Sequence, residues 1–153
     1  MLYAIAAMAL ILSAQPEGRI AFVSGPTPAE QSVCVADVGS GSVTRVGTGQ
    51  RDASPVWSPD GQWLAFESGQ GETQGIRIVR ADGTQGRALA TAQTWNASPR
   101  WSPDGTRLAY SSGPMNQARI AVYDVAKDTE TVWGGERQGL LRPVWVDKST
   151  VID

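Results

Sequence analysis

Hydrophobic and polar positions alternate over short stretches of this chain, and no stretch after residue 15 keeps the spacing of a long amphipathic helix. In the segment Arg107–Ser112, Leu108 and Tyr110 fall on one face and the small Ala109 falls on the other. The run Ser102-Pro-Asp-Gly105 before it is typical of a turn, in which Gly105 adopts a left-handed conformation. The pattern therefore predicts a tight antiparallel hairpin whose first strand ends at Trp101.

This hairpin belongs to an internal repeat. Trp57, Trp101 and Trp145 are 44 residues apart, and each follows a proline by two positions. A repeat of roughly 40 to 50 residues built from short strands is typical of propeller blades with four strands each. The sequence therefore predicts an all-β chain of four-stranded antiparallel β-propeller blades, with about three blades in the chain. The third and fourth strands are predicted at 76–79 and 87–89 in one copy and at 120–123 and 130–133 in the next.

The outermost copies of the repeat are incomplete. The first copy lacks the tryptophan-bearing strand, while an extra strand of that kind stands at 142–146. Closed propellers need at least about four blades, so either the chain is part of a longer propeller or copies assemble. Two chains that exchange the extra strand would form a homodimer and complete a six-bladed ring. Thr150-Val-Ile152 looks like the opening of a further second strand, which favours the first alternative.

The repeated signature is nearly identical in its two full copies. It reads Ser54-Pro-Val-Trp-Ser-Pro-Asp-Gly-Gln-Trp-Leu-Ala-Phe66 and then Ser98-Pro-Arg-Trp-Ser-Pro-Asp-Gly-Thr-Arg-Leu-Ala-Tyr110. It resembles the TolB-type, WD-like β-propeller repeat. That resemblance implies a propeller, commonly six-bladed, as in the periplasmic TolB protein or ahead of the hydrolase domain of prolyl-oligopeptidase-like enzymes. The chain departs from TolB itself, which carries an extra α/β domain before its propeller. The resemblance implies a fold and a style of binding, and not a reaction.

The first residues form an apolar leader. Residues 1–14 carry no charge, and Arg19 is the first basic residue. The length suits a signal peptide and falls short of the roughly 20 residues of a membrane span, so we expect a periplasmic or secreted protein without strong membrane binding after leader removal. The alternative is an apolar N-terminal helix that packs on the propeller or anchors it. The predicted division is a leader at 1–15, a partial blade at 16–52, blades at 53–96 and 97–139, and the first strand of a next or closing blade at 140–153.

The composition limits the partners and the kinds of functional site that this chain can have. A formal charge of −2 without any run of basic residues argues against a nucleic-acid partner. The chain has no histidine, which excludes a Ser-His-Asp triad and a His-ligated metal. Asp60 and Asp104 lie in the repeated turns and are interpreted as turn caps. Cys34, the single cysteine, is flanked by valines and is interpreted as a buried structural thiol. We therefore predict no catalytic residue, cofactor or metal ligand.

The six tryptophans fall into two groups. Those that recur at the repeat period are interpreted as core between blades. The other three, Trp63, Trp95 and Trp133, have no counterpart in the other copy and are candidates for a recognition surface. The favoured hypothesis is a non-enzymatic propeller scaffold of the cell envelope that binds a protein or peptide partner. The alternatives are the propeller part of a larger hydrolase, such as a prolyl-oligopeptidase-like peptidase, and a propeller lyase or glycan-active enzyme that uses a metal with Asp60 and Asp104.

Overall fold

The computed structural model describes residues 18–70, 73–89, 95–114, 116–137 and 141–152, and the predicted leader at 1–15 lies outside these residues. The described chain is all β apart from one short 3-10 turn at Pro28–Glu30, which confirms the predicted fold class. The strands are β1 (Arg19–Ser24), β2 (Ser32–Asp37), β3 (Val43–Arg45), β4 (Ala53–Trp57), β5 (Trp63–Ser68), β6 (Gly75–Arg80), β7 (Arg87–Ala88), β8 (Asn96–Trp101), β9 (Arg107–Ser112), β10 (Ala118–Asp124), β11 (Thr129–Arg137), β12 (Val144–Trp145) and β13 (Val151–Ile152).

Each strand pairs with its neighbour in sequence, and every pairing is antiparallel. The first sheet contains β1–β3, the second β4–β7, the third β8–β11, and the terminal hairpin β12–β13. The second and third sheets therefore have the four strands expected of a blade. Among the described residues β1 is the edge strand of the first sheet, and Val144–Trp145 pairs with Val151–Ile152 in the terminal hairpin.

The repeated turns take the predicted form. Gly61 and Gly105 have φ angles of +66° and +70°, which glycine adopts without steric cost. The Asp104 carboxylate accepts hydrogen bonds from the Ser102 hydroxyl at 2.6 Å and from the Thr106 backbone N–H at 3.1 Å. The Asp60 carboxylate accepts the equivalent bonds in the preceding copy, from the Ser58 hydroxyl and the backbone of residue 62. The turn-cap interpretation of both aspartates is confirmed.

Two apolar cores lie between consecutive sheets. Leu64 and Phe66 of β5 contribute to the core shared with the first sheet, while Ala65 between them contributes to the core shared with the third. This follows from the strand itself, because successive side chains point to opposite faces. The second sheet is thus buried on both faces, as expected for blades that stack side by side. The first core contains Ala21, Val33, Val35, Val46, Trp57, Leu64, Phe66, Val79 and Ala81, and the second contains Ala65, Ile76, Ile78, Leu89, Trp101, Leu108, Tyr110, Ala121 and Tyr123.

The periodic tryptophans also link consecutive sheets by hydrogen bonds. The indole N–H of Trp101 donates to the backbone carbonyl of Val56 at 3.2 Å, and that of Trp145 donates to the carbonyl of Arg100 at 3.0 Å. In both cases the acceptor directly precedes the tryptophan of the preceding copy. Trp57 and Trp101 are buried, which confirms the core interpretation for these two, whereas Trp145 is only half-buried.

A buried carboxylate organises the connection between the first and second sheets. Asp52 is fully buried, and its side chain accepts hydrogen bonds from the backbone N–H groups of Thr48 at 2.7 Å and Gly49 at 3.0 Å. A Cβ atom at Gly47 would lie 2.2 Å from an Asp52 carboxylate oxygen and 2.5 Å from the backbone nitrogen of Val33. Glycine is therefore required at position 47 by close packing. The sequence reasoning had not singled out Asp52.

We expect Trp101→Ala to lower the free energy of unfolding by about 3 to 5 kcal/mol, because it removes a large buried ring between two sheets together with its hydrogen bond to Val56. Urea denaturation measures the change. Trp133→Ala is the matched control, since this side chain is 52% exposed, and we expect a change within about 0.5 kcal/mol. Equal losses in the two variants would contradict the core assignment.

Candidate functional site

A groove with a volume of about 460 Å³ lies between β4 and β8. Both strands are edge strands of their sheets, and the stacking of the two sheets brings these edges together. The groove is lined by the stretch 54–56, by Glu67 and Gln74, by Trp95, Ala97, Ser98 and Arg100, and by Arg142. It combines an aromatic ring, two serine hydroxyls and three charged side chains on one surface.

Two bulges shape this groove. Ser54 and Ser98 have φ angles of +52° and +57°, and the strand pairing is interrupted after Ala53 and after Ala97. A positive φ is uncommon for a residue with a side chain, and proline at the next position normally favours an extended residue before it. The sequence analysis did not predict these bulges. A repeated Ser-Pro within a strand was the signal that could have revealed the bulges, since proline interrupts the pairing ladder.

The second bulge is held by a carboxylate from the neighbouring sheet. Glu67 accepts hydrogen bonds from the backbone N–H of Ser98 at 2.8 Å and from the side-chain amide of Gln74 at 3.0 Å, one at each oxygen. The same amide lies 3.4 Å from the carbonyl of Asn96. These bonds join β5 to β8 across the sheet interface. Glu67 consequently serves as a fixed part of the groove wall.

Two arginines line the groove. Arg100 and Arg142 are exposed, and neither forms an ion pair with another residue in the part of the chain that the structure describes. Arg100 donates one hydrogen bond, to the carbonyl of Pro99 at 2.9 Å. In the 44-residue repeat, Arg142 stands at the position of Ser54 and Ser98. The groove therefore offers guanidinium donors to a ligand, and the sequence reasoning missed both of them.

The three candidate tryptophans do not come together. Trp95 lines the groove and is half-buried. Trp63 lies outside it, packed against the second core, with the Arg80 guanidinium 4.9 Å from its ring centroid. Trp133 is exposed on β11, at the opposite edge of the third sheet from β8. A shared recognition surface built from all three would not fit this arrangement, and only Trp95 belongs to the groove.

The Asp60 and Asp104 carboxylates accept hydrogen bonds from residues of their own turns. Hydrogen bonds from the Ser102 hydroxyl and then from the Thr106 backbone lower the pKa of Asp104 to about 2. The pKa of Asp60 is also lowered, although partial burial opposes the bonds from Ser58 and residue 62. Across the described residues no group of three Cys, Asp or Glu side chains is placed to hold a metal ion. Cys34 is buried, as predicted, and burial raises the pKa of its thiol.

The described part of the chain contains no helix with the length and hydrophobicity of a membrane span.

Meandering four-stranded sheets that stack face to face through tryptophan-containing cores define the chain as part of a β-propeller. The family model described as the TolB beta propeller domain matches residues 9–139, most of the sequence. The chain belongs to this family.

Solved structures agree with this fold. A putative TolB from Agrobacterium tumefaciens is 23% identical with a TM-score of 0.62, and the match covers 78% of this chain and 47% of that one. The puromycin-hydrolyzing peptidase of Mycobacterium tuberculosis is 22% identical with a TM-score of 0.67, covering 97% of this chain and 26% of that one. An oligogalacturonate lyase in complex with manganese is 17% identical with a TM-score of 0.60, covering 75% and 38%. No curated protein matches the sequence.

These matches have different functions, so at this level of identity they show the fold alone. The chain spans about half the length of the Agrobacterium TolB structure and about a quarter of the mycobacterial peptidase.

The low pKa of Asp104 gives a pH dependence with a defined sign. A carboxyl group whose pKa falls from 3.8 in its ordinary state to about 2 on folding contributes stability that is present above pH 3.8. That contribution is lost as the pH falls through about 2. We expect Asp104→Asn to reduce the decline in the free energy of unfolding across this interval, as measured by urea titrations at fixed pH. An unchanged decline in the variant would contradict this role for the carboxylate.

Proposed function

We propose that this chain is a non-enzymatic scaffold of the cell envelope that binds a protein partner through an extended, carboxylate-bearing peptide segment. The observation that carries the proposal is the groove between β4 and β8, where the Arg100 and Arg142 side chains are exposed without a carboxylate partner in the described structure. Guanidinium groups recognise carboxylates through two parallel hydrogen bonds, which are among the strongest polar contacts available to a protein.

The groove walls favour an extended ligand. β4 and β8 are edge strands, and an extended peptide can hydrogen-bond to the free backbone groups of such an edge. The positive φ angles of Ser54 and Ser98 interrupt the regular pairing at this place and turn the backbone locally. Trp95 adds an aromatic surface for an apolar or proline side chain of the ligand. Glu67 has both oxygens engaged by Ser98 and Gln74, which limits its repulsion of an acidic ligand.

The envelope location rests on sequence features. The apolar leader at 1–15 has the length of a signal peptide, and the family includes TolB proteins, which the repeat resembles. The non-enzymatic role is supported by the absence of histidine from the sequence and by the engagement of Asp60 and Asp104 in their own turns.

Peptide binding is tested by fluorescence anisotropy with a labelled peptide of about ten residues that alternates glutamate with alanine, compared with its glutamine and lysine versions. We expect the glutamate peptide to bind and the other two to bind much more weakly, because only carboxylates pair with the two guanidinium groups. Replacing both arginines, Arg100→Gln with Arg142→Gln, should weaken binding by about tenfold or more. Equal affinity for the glutamate and glutamine peptides would refute the proposed specificity.

A matched control separates the groove from net charge. The double variant Lys127→Gln with Lys148→Gln also removes two positive charges, but from exposed positions that do not line the groove. We expect it to retain affinity within about threefold, because exposed charges at a distance are screened by salt. If the control loses as much affinity as the arginine variant, the peptide is held by overall charge and not by this groove.

A second candidate is the propeller portion of a larger hydrolase. The match to the mycobacterial peptidase, which covers 97% of this chain, supports it. This candidate requires a hydrolase domain encoded in the same reading frame, with a Gly-x-Ser-x-Gly nucleophile segment. Sequencing the source DNA across both ends of the coding region decides between the two, since such a segment in frame would replace the scaffold proposal.

A further inference from the structure

Glu67 places a negative charge in a groove whose other charged groups are guanidiniums. The groove is lined by Glu67 of β5, by Arg100 of β8 and by Arg142 from the segment before β12. Glu67 is half-buried and forms no ion pair within the described residues, not even with the two arginines. A half-buried carboxylate without a cation beside it carries a desolvation cost that only its hydrogen bonds offset.

The bulge that Glu67 contacts does not need a carboxylate in order to form. Ser54 forms the same bulge one repeat before Ser98, with a φ angle of +52° against +57°. The residue that stands 44 positions before Glu67 is Val23, whose side chain has no hydrogen-bonding group. β1 contacts β4 as β5 contacts β8. Because the earlier bulge forms with a valine at the corresponding position, the backbone geometry at Ser98 does not account for the choice of glutamate.

The third sheet also lacks this carboxylate and its amide partner. Ser111 and Ala118 stand 44 positions after Glu67 and Gln74. The pair of Glu67 and Gln74 is therefore particular to the second sheet, and both side chains line the groove. Ligand sites are characterised by a small number of well-placed polar groups of this kind. The pair is thus better explained by ligand recognition than by the repeat.

Glu67 and Gln74 have acceptor sites that the described chain does not use. The amide nitrogen of Gln74 donates to Glu67 at 3.0 Å and lies 3.4 Å from the carbonyl of Asn96, so two acceptors fix the orientation of the amide. The Oε1 atom of Gln74 forms no hydrogen bond within the described residues. An ionised carboxylate can accept about four hydrogen bonds, and Glu67 accepts two, from Gln74 and from the Ser98 N–H.

The groove is therefore divided in its chemistry. The second sheet supplies the acceptors of Glu67 and Gln74, and the guanidinium donors come from the third sheet and the segment that follows it. A ligand that satisfies both carries carboxylates for the guanidiniums and a cationic donor for Glu67. Lysine suits this position, because its compact ammonium has three rotatable donors. A planar guanidinium requires two parallel acceptors, and each oxygen of Glu67 is already engaged.

We propose that Glu67 determines the specificity of the groove by binding a lysine ammonium of the partner, and that the partner segment carries this lysine between its acidic residues. The proposal rests on the peptide-binding function proposed above and narrows the partner from any acidic segment to one with a lysine at a defined position. The ammonium supplies the counter-charge that Glu67 lacks within the described chain. A carboxylate at the same position of the ligand is rejected, because two like charges then face each other.

The test compares labelled peptides by fluorescence anisotropy. Each peptide has two glutamates and a central lysine, with one to four alanines on each side of the lysine, and matched versions have glutamine or glutamate at the centre. At the spacing that fits the groove, we expect the lysine version to bind about fivefold more tightly than the glutamine version and the glutamate version to bind more weakly than both. A peptide of the same composition with its lysine at one end should bind like the glutamine version.

Variants of the protein then assign the preference to Glu67. Glu67→Gln removes the charge and keeps an acceptor for the Ser98 N–H, so we expect the lysine and glutamine peptides to bind within about twofold of each other. Glu67→Val introduces the residue that the first sheet has at this position and should abolish the preference equally. Glu30→Gln is the matched control, because it removes one carboxylate at an exposed position outside the groove. It should retain the full preference for lysine.

The outcomes separate this inference from the proposed function. If the groove arginines bind the glutamate peptides but a central lysine gives no gain, the role of Glu67 is overturned and the proposed function stands. A preference for lysine that persists in both Glu67 variants, or that the Glu30 control also loses, overturns the role of Glu67 as well. Failure of every peptide to bind overturns both proposals.

Discussion

The structure depends on the burial of each sheet against the next through cores that contain Trp57 and Trp101, and the indoles of Trp101 and Trp145 also donate hydrogen bonds to the preceding sheet. An indole ring supplies a large apolar surface, and its N–H reaches the backbone of the neighbouring first strand. Because the acceptor is always the residue before the preceding tryptophan, the same contact sets the stagger of successive sheets. The two indole contacts therefore act together with the apolar cores in holding successive sheets.

This stacking also determines where the groove lies. It brings the edge strands β4 and β8 together, and the Ser54 and Ser98 bulges interrupt the pairing of β4 with β5 and of β8 with β9. Glu67 of one sheet caps the bulge of the next, so the groove wall is part of the inter-sheet contact. The charged side chains exposed there come from two different repeats, Arg100 and Arg142, because the groove spans the boundary between repeats.

The same regularity explains the exposed features of the chain. Between the second and third sheets the repeated core positions are buried, and the indole N–H of Trp101 is hydrogen-bonded to the Val56 carbonyl. Among the described residues no strand pairs with the outer edge of β1, and there the half-buried Phe22 and the unpaired indole nitrogen of Trp57 contrast with the buried Phe66 and the bonded Trp101. In a repeat protein each unit contacts only its neighbours, so burial at a repeated position depends on the adjacent sheet.

The sequence by itself determined the fold class, the strands and the turns, because alternation, Ser-Pro-Asp-Gly runs and the 44-residue period are local properties. It also identified the buried Trp57, Trp101 and Cys34 from their periodicity or flanking residues. Only the tertiary structure decided the bulges, the buried Asp52, the Glu67 contact and the meeting of Trp95 with Arg100 and Arg142. These depend on approach between sheets, and a contact between residues about 30 to 50 positions apart leaves no local pattern.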